Sequence, residues 1–186
     1  MSIFSIHGEQ TAPEASRPIL EGAKAKYGFL PNLLGGLAEA PAALEAYVTL
    51  SDLFDKTSLT PAERQVVILA TSAENGCEYC VAAHSTIAAM LKVPDDVIEA
   101  LRDGRPIADE RLEALCKFTE TVVRKRGWAD EDDVQAFLAA GFDRAQVLEI
   151  VLGVAFKTLS NYANHLIATP VDAAFAPRAW TASEAG

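Results

Sequence analysis

The chain of 186 residues has only three cysteines, too few for a disulfide-stapled scaffold. It contains no apolar run near the roughly 18 residues that a membrane span requires. Its first residues, Met1 to Gly8, show no basic start followed by a long apolar segment, so no secretory signal is expected. Positive charge is in short supply, with 16 Lys and Arg against 26 Asp and Glu and a net charge of −10. Such a surface repels phosphate backbones and anionic lipid, which argues against nucleic-acid and membrane partners. Aromatic residues are 8% of the chain, and alternation of apolar with polar side chains at period two is scarce, so a sheet is not expected. Repeats of solenoid length are absent as well.

Helix signals fill the space left by these absences. A first helix ends near Gly22 to Lys26, and Tyr27-Gly28-Phe29-Leu30-Pro31-Asn32 reads as a turn, with Leu33 and Leu34 as core residues. Pro41 opens a helix with Leu44, Tyr47, Val48 and Phe54 on its apolar face. Thr60-Pro61-x-Glu63 is a helix start: Thr60 caps, Pro61 takes the first position and Glu63 closes a capping box. Asn75-Gly76 ends that helix, because both residues tolerate the left-handed backbone of a helix terminus. Further helices are predicted from Cys77 to Leu91, from Pro94 to Gly104, over 108–126, from Asp130 to Ala140 and from Asp143 to about Thr169. About eight helices and no significant sheet define a compact all-α multi-helix bundle. One domain is expected over 1–186, in a cytoplasmic setting that keeps the thiols reduced.

Chemistry concentrates in Cys77-x-x-Cys80-x-x-x-His84. On a helix these residues share a face with Ile87 and Leu91, and Cys80 and His84 are neighbours four apart. An imidazole in reach of the thiol, directly or through one water, would take its proton, and the helix N-terminus favours the resulting thiolate. Two thiols three residues apart can also close a disulfide and carry two electrons. The bland readings are a buried structural thiol pair and half of a zinc site, the latter with only His7, Cys116 and His165 left to complete it. Cys116, beside Leu112 and Leu115, reads as an inert buried thiol. Asn161 and His165, four apart in an apolar helix, either face the same cleft as the thiols or tie helices together, and the second reading is preferred.

The thiol motif, its preceding Thr60-Pro61-x-Glu63-Arg64 helix, the Tyr27 to Asn32 segment and Asn161-Tyr162-x-Asn164-His165 together resemble the alkylhydroperoxidase AhpD-like / carboxymuconolactone decarboxylase family, in its peroxidase-related branch, over residues 20–172. The resemblance implies an AhpD-like helical fold, a homo-oligomer (trimer or hexamer) and a thiol-dependent peroxidase acting on organic hydroperoxides or hydrogen peroxide. It implies Cys80 as the peroxidatic thiol, Cys77 as the resolving thiol and His84 in the proton relay. A dithiol reductant, lipoylated or thioredoxin-like, would recycle the disulfide, and no cofactor or metal is called for. In this chain the position of the family's relay glutamate, twelve residues before Cys77, is Gln65. An amide exchanges no proton at neutral pH. Glu63 is therefore the candidate substitute, with Glu74 and Glu78 behind it, although Glu63 is equally explained by the capping box. The alternatives are a non-enzymatic dithiol switch and a metal-binding helical protein.

Overall fold

The computed structural model describes residues 3–182. Capping chemistry sets the helix starts. Thr60 accepts from the Glu63 backbone N–H and Glu63 accepts from that of Thr60, and the same reciprocal box recurs at Asp130/Asp133 and Asp143/Gln146. The described residues form nine α-helices: α1 (Arg17–Tyr27), α2 (Asn32–Leu37), α3 (Pro41–Phe54), α4 (Pro61–Glu74), α5 (Glu78–Met90), α6 (Asp95–Asp103), α7 (Glu110–Arg124), α8 (Glu131–Ala139) and α9 (Arg144–Ile167). Single 3-10 turns stand at Glu14–Ser16 and Ala176–Arg178, and no strand occurs among the described residues. The expected all-α class is thereby confirmed. The ninth helix is α2, which sequence reading took for a turn. Its first backbone N–H, that of Asn32, donates to Asp172 from the far end of the chain, a stop that only the tertiary fold supplies.

Helix α4 is the axis of the molecule and packs against α5, α7 and α9. Its residues from Gln65 to Ser72 are all buried, so it reads as apolar on nearly every side. Gly153 lets α9 close on it, because a Cβ there would lie 2.7 Å from the Phe54 ring and 2.8 Å from Val67. On the α7–α8 side Phe118, Phe137 and Phe142 stack at ring separations of 4.5 and 4.3 Å. Such pairs contribute about 0.5–1.5 kcal/mol each beyond their buried area.

Two apolar clusters result. The larger joins α4 to α6, α7, α8 and α9. The smaller is built from Leu20, Leu33, Leu34 and Leu44 of α1, α2 and α3, and it contains Cys77, Tyr79 and Cys80. The thiols thus sit inside the second core, walled by the first.

Candidate active site

The joint between α4 and α5 places the thiols. Gly76 takes φ +64°, and Cys77 N–H reaches back to Ser72 C=O at 2.9 Å, which turns the chain sharply. Cys77 is then the extended cap residue before α5 rather than a helical one, and Cys80 is the third residue of the helix. A thiolate in the first turn gains from the helix dipole. One turn on, His84 faces the same way.

The other wall is a buried polar stripe on α9. Lys157, Ser160, Asn161 and Asn164 follow the i, i+3, i+4, i+7 spacing of one helix face, and all are buried. Asn164 Nδ2 lies 3.2 Å from Cys80 Sγ and 3.8 Å from Cys77 Sγ, donating to both. Ser160 Oγ stands 3.7 Å from Cys80 Sγ. Lys157, with 0% of its surface exposed, donates from Nζ toward Cys80 Sγ at 3.7 Å and to His84 Nε2 at 3.2 Å.

These contacts assign the His84 tautomer. An ammonium only donates, so His84 Nε2 accepts, and Nδ1–H donates to Gln65 Oε1 at 3.1 Å. Burial and then the Lys157 charge hold His84 well below its usual pKa, so the ring is neutral. Burial alone would raise the Cys80 thiol. The hydrogen bond from Cys77, the Lys157 charge and Ser160 outweigh it and hold Cys80 well below the ordinary thiol range. Cys77 moves the opposite way, raised by its hydrogen bond to Cys80 and by burial. The pair is therefore polarised, Cys80 toward the thiolate and Cys77 toward the thiol.

Cys80 opens onto a cavity of about 730 Å³, while Cys77 is not part of its lining. Tyr27, Phe29, Tyr47, Phe54, Phe156 and Phe175 supply aromatic walls, and His84, Lys157 and Gln65 line it beside the thiol. Its one lining carboxylate among the described residues is Asp55, 3.5 Å from Arg64.

Glu63 is not brought to the thiols. Two residues from Gln65 on α4, it points about 200° away around the helix. Its carboxylate accepts from Thr60 N–H at 2.8 Å and from Arg111 Nε at 2.9 Å, which is the capping reading. Glu74 pairs with Arg124, and Glu78 is exposed. Instead Gln65 itself meets His84. Asn161 ties α9 to the end of α4, accepting from Asn75 Nδ2 at 3.0 Å and donating to Ser72 Oγ at 3.4 Å. His165 is exposed beside Tyr162, and it is Asn164 that faces the thiols. Lys157 was missed by sequence reading. The available signal was the polar stripe itself, in which Lys157 is a lone charge between Glu149 and His165. Among the described residues no three His, Cys, Asp or Glu side chains gather as a metal ion would need.

The all-helical bundle thus sets a polarised thiol pair against a largely apolar cavity that Cys80 lines. Residues 38–121 match the carboxymuconolactone decarboxylase family. The AhpD core, an uncharacterised peroxidase-related protein of Ralstonia eutropha JMP134, is 27% identical with a TM-score of 0.82, covering 94% of each chain. A peroxidase-related protein of Silicibacter sp. TM1040 shares the fold at 20% identity and TM-score 0.78, over 93% of this chain and 92% of that one. The debrominase Bmp8, in complex with 2,3,4-tribromopyrrole, shares it at 18% identity and TM-score 0.79, over 96% of both. No curated protein matches the chain. The chain is thus similar to the alkylhydroperoxidase AhpD-like / carboxymuconolactone decarboxylase family in both sequence and fold.

Proposed function

We propose that the protein is a thiol-dependent peroxidase that reduces organic hydroperoxides or hydrogen peroxide through a Cys77/Cys80 dithiol–disulfide cycle. The observation that carries this reading is the placement of the pair: Cys80 lines the cavity with Lys157 and Asn164 donating toward its sulfur, and Cys77 lies behind it, off the lining. The Cys80 thiolate attacks the terminal peroxide oxygen and becomes a sulfenic acid. Cys77 then displaces water from Cys80 to close the disulfide, and a dithiol protein, lipoylated or thioredoxin-like, reopens it by exchange. His84 contributes to the proton path by its hydrogen bond from Lys157 at 3.2 Å, which positions that side chain beside Cys80. A homo-oligomer, trimer or hexamer, is part of the proposal and is supported by the exposed Leu148, Val151, Tyr162 and Leu166 along α9. The test is stopped-flow consumption of cumene hydroperoxide by the reduced protein. Rapid loss of one equivalent is expected, and a wild-type rate in Cys80→Ser would overturn the assignment.

The aromatic walls favour one further reading. Bmp8 shares the fold and is a debrominase, and the cavity here has room for a ring substrate. Bromide release from 2,3,4-tribromopyrrole, measured by ion chromatography with the reduced protein, decides it. Release faster than hydroperoxide turnover would replace the peroxidase reading.

A further inference from the structure

We infer that Lys157 is the acid–base residue of this site: its ammonium is the counter-ion of the Cys80 thiolate and protonates the oxygen that leaves when Cys80 is oxidised, while neutral His84, fixed by Gln65, orients it. The inference rests on the peroxidase reading. Lys157 is the buried cation in contact with both Cys80 Sγ and His84 Nε2, so His84 Nε2 already has a donor and its own proton points away from the thiols, at Gln65. His84 is thus not the base next to Cys80. The titratable groups around Cys80 are Cys77, Tyr79 and His84 from the α5 side, Lys157 from α9 and Tyr47 from α3, with Lys26, Tyr27, Arg64 and Asp55 also in the cavity lining. Asn164 and Ser160 donate hydrogen bonds but do not ionise near neutral pH. With Gln65 where a carboxylate would serve a relay, Lys157 is the group left that can both hold and release one.

The steps balance. The Cys80 thiolate forms an S–O bond to the terminal oxygen of ROOH as the O–O bond breaks. Sulfur is oxidised, the peroxide is reduced, and the departing alkoxide takes a proton from Lys157, giving ROH, Cys80–SOH and a neutral amine. That amine removes the proton of Cys77, whose thiolate attacks the Cys80 sulfur. The proton passes to the departing hydroxide, giving water and the disulfide. When the dithiol reductant frees Cys80 as a thiol, its proton returns to Lys157 and restores the ion pair.

The alkylation rate of Cys80 by iodoacetamide against pH tests the pair without any peroxide. Lys157→Met should raise the midpoint by at least one pH unit, which is about tenfold in rate at pH values below the wild-type midpoint. His84→Gln should shift it less. An unchanged midpoint in Lys157→Met, or a larger shift in His84→Gln, overturns the inference. Because a buried substitution can cost folding, the wild type supplies a second measurement. Imidazole ¹⁵N shifts should show His84 neutral, with its proton on Nδ1, from pH 6 to 8. An imidazolium, or a proton on Nε2, contradicts the assignment. Lys157→Arg keeps the charge but gives up no proton near neutrality. It should retain the low alkylation midpoint and slow hydroperoxide oxidation at least tenfold, and a wild-type oxidation rate removes Lys157 as the proton donor. If the wild type alkylates as expected but ignores hydroperoxide, the peroxidase reading and the leaving-oxygen step fall together while the ion pair stands.

Discussion

Cys80 and Cys116 are both buried helical cysteines, 1% and 7% exposed, yet their surroundings drive them in opposite directions. Cys80 lies in the first turn of α5 with Lys157, Ser160 and Asn164 around its sulfur. Cys116 lies in the middle of α7, where its thiol donates to Glu120 Oε1 at 3.5 Å. Burial pushes the Cys116 thiol up, and the carboxylates of Glu120, Glu113 and Glu74 push it further. Burial is thus common to both and explains neither difference. The sign of the nearby charge, an ammonium from α9 at Cys80 and carboxylates mainly of α7 itself at Cys116, sets the direction in which each thiol is driven.

The contrast is broken most completely at the sulfur. Cys80→Ser should lower the single-turnover rate with cumene hydroperoxide by more than about a thousandfold, while Cys116→Ser leaves it unchanged, as stopped-flow mixing would register. Comparable losses in both variants would mean that the two sites do not differ as described. A smaller effect comes from reversing the charge at the inert site. Glu120→Lys places an ammonium where a carboxylate now holds the Cys116 proton, so alkylation of Cys116 at pH 8 should rise by roughly tenfold. Peptide mapping after timed iodoacetamide exposure would measure it.

Much of this architecture was legible in the chain, for reasons that separate local from tertiary physics. Thr60-Pro61-x-Glu63, Asp130 and Asp143 announce helix starts because capping is a contact between residues three apart. Asn75-Gly76 announces the turn that delivers Cys77 and Cys80, because the required backbone conformation is a property of those two residues. Helix α2 was not legible: six residues with Gly35 and Gly36 have little intrinsic helicity, and the Asp172 carboxylate that starts it lies 140 residues away. Lys157 was hidden for the same reason, since its register against Cys80 is set 77 residues along the chain by the packing of α9 on α5. The preferred reading of Asn161 as a tie between helices agrees with its bonds to Asn75 and Ser72, while the direct contact of Asn164 with the thiols was not singled out. Asn164, not His165, continues the buried stripe.

Two stability effects sharpen the comparison from outside the sulfurs. His84 is held neutral well below its usual pKa of about 6.5, so below that pH the unfolded chain binds a proton that the folded chain does not. Stability should therefore fall as pH drops from about 6.5 toward 5, by up to about 1.4 kcal/mol per pH unit, and His84→Gln should flatten that slope in urea titrations. A slope unchanged in the variant would contradict the neutral ring. The smallest effect is at Glu63, whose capping box and Arg111 pair make it a structural carboxylate. Glu63→Gln should cost about 1 kcal/mol in urea unfolding and leave the alkylation midpoint of Cys80 in place. A raised midpoint would return Glu63 to the proton path.

The central claim, that one sulfur of three is the peroxide nucleophile, is tested most directly by a single oxidation event. Fully reduced protein is mixed with slightly less than one equivalent of cumene hydroperoxide, quenched within seconds by acid, and the three cysteines are mapped by mass spectrometry of intact and digested chains. The account predicts a loss of two hydrogens confined to Cys77 and Cys80, a trapped sulfenic acid on Cys80 in the Cys77→Ser variant, and an untouched Cys116. Oxidation spread evenly over the three thiols, or a Cys77/Cys80 pair that stays reduced, would contradict it.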